Sequence, residues 1–190
     1  MDAVVSRLPW RSQRRLLMNI FLLAALCGLP SGTKAEDAEG QRTQLIAAED
    51  ATTPLFALPS LDGAKQELAR FRGRVVLVHF FATWCEPCRA EMASLNELHN
   101  RLTGQPFAIL PVSVAEADGT VRRFFETEPL PFTILLDRDR SVAKSWNIHA
   151  LPSTLVLDRG LRPRFRAEGD VDWVRSDVMR RITNLLDAPD

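Results

Sequence analysis

Cysteine is scarce in this chain, and the scarcity excludes whole classes of protein. Only Cys27, Cys85 and Cys88 occur in 190 residues, too few for a small fold stapled by a disulfide framework. Histidine is as thin. Beyond Cys85 and Cys88, only His79, His99 and His149 could complete a zinc site, which wants four ligands. Net charge is also missing, with 24 basic residues against 24 acidic ones. Nothing in that balance invites nucleic acid. There is no internal repeat, which excludes a solenoid, and no apolar run reaches the roughly 20 residues that span a bilayer comfortably.

What the chain does have begins at its first residues. Arg7, Arg11, Arg14 and Arg15 face the single acid Asp2, and Leu16 to Leu29 is then almost wholly apolar before Pro30-Ser31-Gly32. Residues 1–35 therefore read as a signal peptide or an N-terminal membrane anchor, with Thr33-Lys34-Ala35 as a small-x-small cleavage site. The short apolar run favours cleavage. Arg14-Arg15 leaves a twin-arginine signal open, and Leu26 before Cys27 does not suit a lipoprotein signal. Without this leader the remaining residues carry 19 basic and 23 acidic side chains, a net charge of −4. They retain one even cysteine pair.

Residues 36–51 are polar, alanine-rich and without periodicity, which predicts a flexible linker. Residues 52–190 read as one domain. Leu55 to Leu58 and Lys65 to Leu68 flank an Asp62-Gly63 turn, predicting an N-terminal β-hairpin. The apolar run Val75 to Phe81 predicts a buried strand, and Met92, Leu95, Leu98 and Leu102 mark one face of the helix that follows. Phe107 to Val114 predicts a second central strand, and Thr120 to Glu126 a short helix with Val121, Phe124 and Phe125 inward. Further strands are expected at Thr133 to Leu136, Thr154 to Leu157 and Pro163 to Ala167, with a helical turn or two at Ser141 to Trp146. Val171, Val174, Val178, Ile182 and Leu185 predict a closing amphipathic helix. Strands alternating with helices and ending in a hairpin plus helix give an α/β fold, a mixed central sheet flanked by helices.

The chemistry sits between the first central strand and its helix. Cys85 and Cys88 are three apart in the first turn, so their sulfurs share one side and can close or open as a redox couple. Pro87 suits a first turn, where its missing N–H costs nothing. Free backbone N–H groups and the positive helix end favour a thiolate at Cys85, the exposed attacking sulfur, with Cys88 resolving the mixed disulfide. Glu91 follows Cys88 by three and falls on the core-facing stripe, where desolvation raises a carboxyl's pKa and allows proton exchange with the thiol. His79, six residues before Cys85, is either a proton relay or a hydrogen-bonded core residue. His99 lies on the helix face away from the site.

Trp84-Cys85-Glu86-Pro87-Cys88-Arg89-Ala90-Glu91 after a Val-rich strand, with Leu151-Pro152-Ser153-Thr154 downstream, resembles the TlpA/ResA/CcmG branch of the thioredoxin-like proteins over about Leu55 to Leu186. The resemblance implies a thioredoxin-like fold and a periplasmic thiol–disulfide oxidoreductase. It makes Glu91 the counterpart of a buried acid and Pro152 that of a cis-proline lying against the cysteine pair. Leu151 would then offer backbone groups to an extended substrate, and Trp84 an apolar rim that shields the disulfide. Two departures stand out: His79 replaces an Asp or Asn, and Ala150 the usual Gly two places before the proline.

Glu86 between the cysteines and Glu91 beneath them disfavour a thiolate and point to a reductant. The resemblance implies as clients the oxidised cysteine pairs of apocytochrome c or of an oxidase copper site. It also implies a CcdA/DsbD-type membrane thiol donor, no cofactor, and a monomer in the periplasm, soluble or anchored to the inner membrane. A copper(I) metallochaperone would use the same thiolates, but the spacing and paired histidines of Sco-type proteins are missing. A thiol peroxidase would need a Thr three residues before its reactive cysteine, where Ala82 stands.

Overall fold

Seven consecutive buried residues make Val75–Phe81 (β4) the centre of the molecule. In the computed structural model, which describes residues 43–48 and 53–188, β4 pairs in parallel with Phe107–Val114 (β5) and antiparallel with Ser153–Leu157 (β7). A strand covered on both faces loses the alternation of apolar and polar residues, which is why β4 reads as an unbroken apolar run. Leu135–Asp137 (β6) extends the sheet in parallel beyond β5. Pro163–Glu168 (β8) and then Ile46–Ala47 (β1) extend it antiparallel beyond β7. The strand order is β1-β8-β7-β4-β5-β6. Ala57–Pro59 (β2) and Lys65–Glu67 (β3) form the separate hairpin expected around Asp62-Gly63.

Two cores follow from the two faces of β4. Leu77 and Phe81 pack with Leu95 and Leu98 of Glu86–Arg101 (α1) and with Val178 and Ile182 of Ser176–Asp187 (α4). Val76, Val78 and Phe80 pack on the other side with Trp146, Leu155 and the hairpin residues Phe56 and Leu58. Side chains alternate along a strand, so odd-numbered residues of β4 face α1. His79 is one of them.

The remaining helices, Asp118–Thr127 (α2) and Ser141–Ser145 (α3), occupy the expected places. Buried Asp137 starts α3 by accepting from the backbone N–H groups of Val142 at 3.2 Å and Ala143 at 2.8 Å. On α2 only Val121 is fully buried, whereas Phe124 and Phe125 are half-buried and meet edge to face.

Three expectations are corrected. Part of the presumed linker 36–51 is structured: Ile46↔Arg166 and Ala47↔Phe165 pair as an edge strand, and Leu45 is buried in the core. Main-chain pairing with β8 and one inward leucine suffice where periodicity is too short to read. The chain also comes close to β8's end, since a Cβ at Gly169, φ +100, would lie 2.5 Å from the Thr43 hydroxyl. Second, the last helix begins at Ser176, so Val171 and Val174 belong to the preceding loop. Third, the sixth strand is shifted to Leu135–Asp137. The leader 1–35 and residues 36–42 and 49–51 of the linker lie outside the described residues. Among those described, no helix is long and apolar enough to cross a membrane.

Candidate active site

Where β4 ends, Ala82 to Trp84 turn the chain into α1, and Cys85 becomes the residue that caps the helix. Its sulfur accepts from the Cys88 backbone N–H at 3.3 Å. Pro87 sits in the first turn, where no intrahelical donor is needed. Cys85 and Cys88 are joined by a disulfide with their Cα atoms 5.3 Å apart. Cys85 is not the exposed sulfur the sequence suggests, being only 5% exposed against none for Cys88. It remains the one that solvent reaches. The large exposed surface belongs to its neighbour Trp84, which is 74% exposed and so contributes a rim rather than core packing. Glu86 points outward and pairs with Arg89 at 3.8 Å.

One turn further into α1, Glu91 is buried on the same face as Cys88. Burial pushes its carboxyl up to about 8, although the Trp173 indole N–H donates to Oε1 and so favours the charged form. Desolvation wins because few groups here can hold a negative charge. His79 Nδ1 stands 4.0 Å from the same Glu91 oxygen and shares a hydrogen bond of 2.9 Å with the Thr154 hydroxyl. Fully buried, His79 is pushed down to about 3, which keeps the ring neutral. His79 Nε2 and Glu91 Oε2 have no hydrogen-bond partner among the described residues. Thus β4, α1, β7 and the loop before α4 each place one polar group in an otherwise apolar pocket behind the disulfide.

On the other flank, the Leu151–Pro152 peptide is cis. Leu151 is half-buried and Pro152 buried. The Ala150 carbonyl accepts from the Ser153 hydroxyl at 2.8 Å, so the turn closes without the expected glycine. His99 stacks edge-on against Phe132, away from this site.

The structure adds residues that the motifs did not indicate. Trp173 could have been suspected as a tryptophan beside Val171 just before a helix, and Thr154 as the partner of His79 in the β4–β7 register. Glu116 carries no such signal. Its carboxylate accepts from the Thr83 backbone N–H at 2.9 Å, the Thr83 hydroxyl, and the Ser113 hydroxyl at 2.8 Å. It thereby ties the end of β5 to the turn that presents Cys85.

Residues 50–161 match the model of the AhpC/TSA family. The chain is 34% identical over 175 residues to the thiol-disulfide oxidoreductase ResA of Geobacillus kaustophilus, covering 92% of this chain and 98% of that protein. It is 29% identical over 149 residues to ResA of Bacillus subtilis, covering 78% and 82%. Among solved structures, a Chlorobium tepidum protein described as a DsbE thiol:disulfide interchange protein superimposes with a TM-score of 0.67 at 23% identity, over 75% of this chain and 99% of that one. StoA from Bacillus subtilis gives 0.59 at 18% identity, over 70% and 98%. The fold is thioredoxin-like.

Proposed function

Because the chain belongs to the AhpC/TSA family, in its TlpA/ResA/CcmG-type branch of thiol-disulfide oxidoreductases, we propose that it is an exported reductant of oxidised cysteine pairs in client proteins. In this reading the Cys85 thiolate attacks one sulfur of a client disulfide and the other leaves as a thiolate that takes up a proton. Cys88 then attacks Cys85, releasing the second client thiol and leaving the Cys85–Cys88 disulfide. Two electrons pass to the client. A membrane thiol donor of the CcdA/DsbD type would return them, and the clients would be cysteine pairs of cytochrome c or oxidase maturation.

The observation that carries the direction is the burial of Cys88 beside Glu91. Apolar burial raises a thiol's pKa, and a carboxyl at about 8 is mostly protonated near neutrality, so no anion is comfortable in that pocket. Glu91 supplies the Cys88 proton and takes it back, and the Trp173 indole N–H holds the carboxyl in place. A dithiol that resists ionisation makes a reducing couple, because oxidants are those whose reduced form is stabilised. Trp84, Leu151 and Pro152 receive the client segment.

A copper(I) carrier would be left with two thiolates for a soft ion, and Ala82 stands where a thiol peroxidase needs a hydroxyl. The test is the redox state of the protein in its own compartment, trapped by acid and counted by alkylation. It should be largely reduced. An almost wholly oxidised pool while the upstream donor is active would make it an oxidase instead.

A further inference from the structure

The surface beside the disulfide has a concavity of about 230 Å³ between Trp84 and Leu151. That volume suits a peptide side chain, being smaller than the roughly 300 Å³ at which cofactor-sized pockets begin. Its floor is apolar, at buried Ile148, and its rim carries Arg140 and His149, both exposed. No hydrogen bond or ion pair engages the Arg140 side chain among the described residues.

The nearby acids make their hydrogen bonds elsewhere and none reaches the Arg140 guanidinium among the described residues. Asp137 caps α3, Asp139 accepts from the Ser141 backbone N–H at 3.0 Å, and Asp118 holds Arg138 through two bonds of 2.7 Å. Glu116, next to the rim, is tied to Thr83 and Ser113. Exposed Glu86 shares Arg89 with Glu128, at 3.8 Å and 3.3 Å. The backbone adds a second observation. Arg140 and Ala115, both lining the concavity, are two of the four described non-glycine residues in the left-handed conformation, with φ of 63° and 59°; Asn147 and Leu161 lie outside it. Residues with a Cβ avoid that region, and such exceptions gather at ligand clamps.

We propose that this groove is a carboxylate-recognising subsite for the client, in which an extended segment lies along Leu151 and aims an Asp or Glu near its cysteine at the Arg140 guanidinium. Trp84 covers the apolar part of the same segment. Arginine's planar fork matches a carboxylate with two parallel hydrogen bonds. The subsite rests on the reading that the chain reduces client disulfides, and it selects among them.

The test compares two disulfide-bonded peptides that differ only in carrying Glu or Lys beside the reacting cysteine, reduced by the full chain. The Glu peptide should show a kcat/KM about fivefold higher at low salt, the scale of one exposed ion pair. The ratio should shrink at about 0.5 M salt. Arg140→Asn, a residue that tolerates the left-handed backbone, should bring it close to one, Arg140→Lys should keep part of it, and Arg140→Glu should invert it. A wild-type ratio near one, or a preference that survives Arg140→Asn, overturns the subsite. Hydroxyethyl disulfide, small and uncharged, separates the two claims: if it is reduced while the peptides show no preference, only the subsite falls, and if wild type reduces neither it nor the peptides, both fall.

Discussion

At the scale of single residues, the two sulfurs differ by a small margin that the chemistry amplifies. Cys85 is 5% exposed and caps a helix, while Cys88 has no exposure at all. Cys85→Ser should therefore abolish client reduction, and Cys88→Ser should trap a mixed disulfide through Cys85. Mass spectrometry after brief alkylation checks this, and a faster-reacting Cys88 would reverse the assignment. Glu91 makes a second prediction. Glu91→Gln should remove an acid titration near pH 8, change the pH profile of thiol exchange, and raise the reduction potential above about pH 8, where the carboxyl is charged, each 30 mV corresponding to about 1.4 kcal/mol. If the cysteine titrations and the potential stay put while the fold is intact, Glu91 does not serve the couple. The cysteine pair and Glu91 were legible because helix spacing alone puts them together. His79 was legible only as an alternative, since its phase with Leu77 and Phe81 says that it faces α1 but not that Glu91 meets it there. Trp173, in a loop without periodicity, offers only its place beside Val171 before a helix, and Glu116, far along the chain from Thr83, has no local signal.

Elements were recovered in proportion to their length and burial. The bounds of β4 and β5 agree with the reading because a doubly covered strand declares itself as an apolar run. The edges did not agree, because β1 gains its place from main-chain bonds to β8 and one buried side chain rather than from a pattern. That contrast can be measured. Leu45 is 4% exposed and Ile46 is 60% exposed, so Leu45→Ala should cost about 2–4 kcal/mol of unfolding free energy and Ile46→Ala within about 0.5 kcal/mol. Equal losses in a urea titration, or none at Leu45, would mean that β1 is not part of the cooperative unit. The loop holding Val171 and Val174 reads as the start of α4 for a related reason. Inward-facing residues at irregular spacing imitate a helical stripe.

For the molecule as a whole, the buried pair gives stability a definite shape against pH. Glu91 is raised from 4.5 to about 8 in the folded state, so the native protein holds a proton that the unfolded chain releases. Its contribution is full below pH 4.5 and is lost as pH rises towards 8, with a slope of up to about 1.4 kcal/mol per pH unit. His79, lowered from 6.5 to about 3, acts in the opposite sense: its contribution is present above pH 6.5 and is lost as pH falls through 3. The oxidised protein should be most stable between about pH 4.5 and 6.5, where the two slopes cancel, and Glu91→Gln should remove the decline on the alkaline side. Chemical denaturation across pH would show it, and a flat wild-type profile from pH 5 to 8 would mean that Glu91 is solvated. A fold closed over Cys88 and Glu91 makes a reducing couple. The most direct test is the reduction potential of the Cys85–Cys88 pair at pH 7, equilibrated against dithiothreitol and read by alkylation. The potential should lie nearer the roughly −270 mV of thioredoxin, and a value nearer the roughly −120 mV of DsbA would make the couple an oxidant instead.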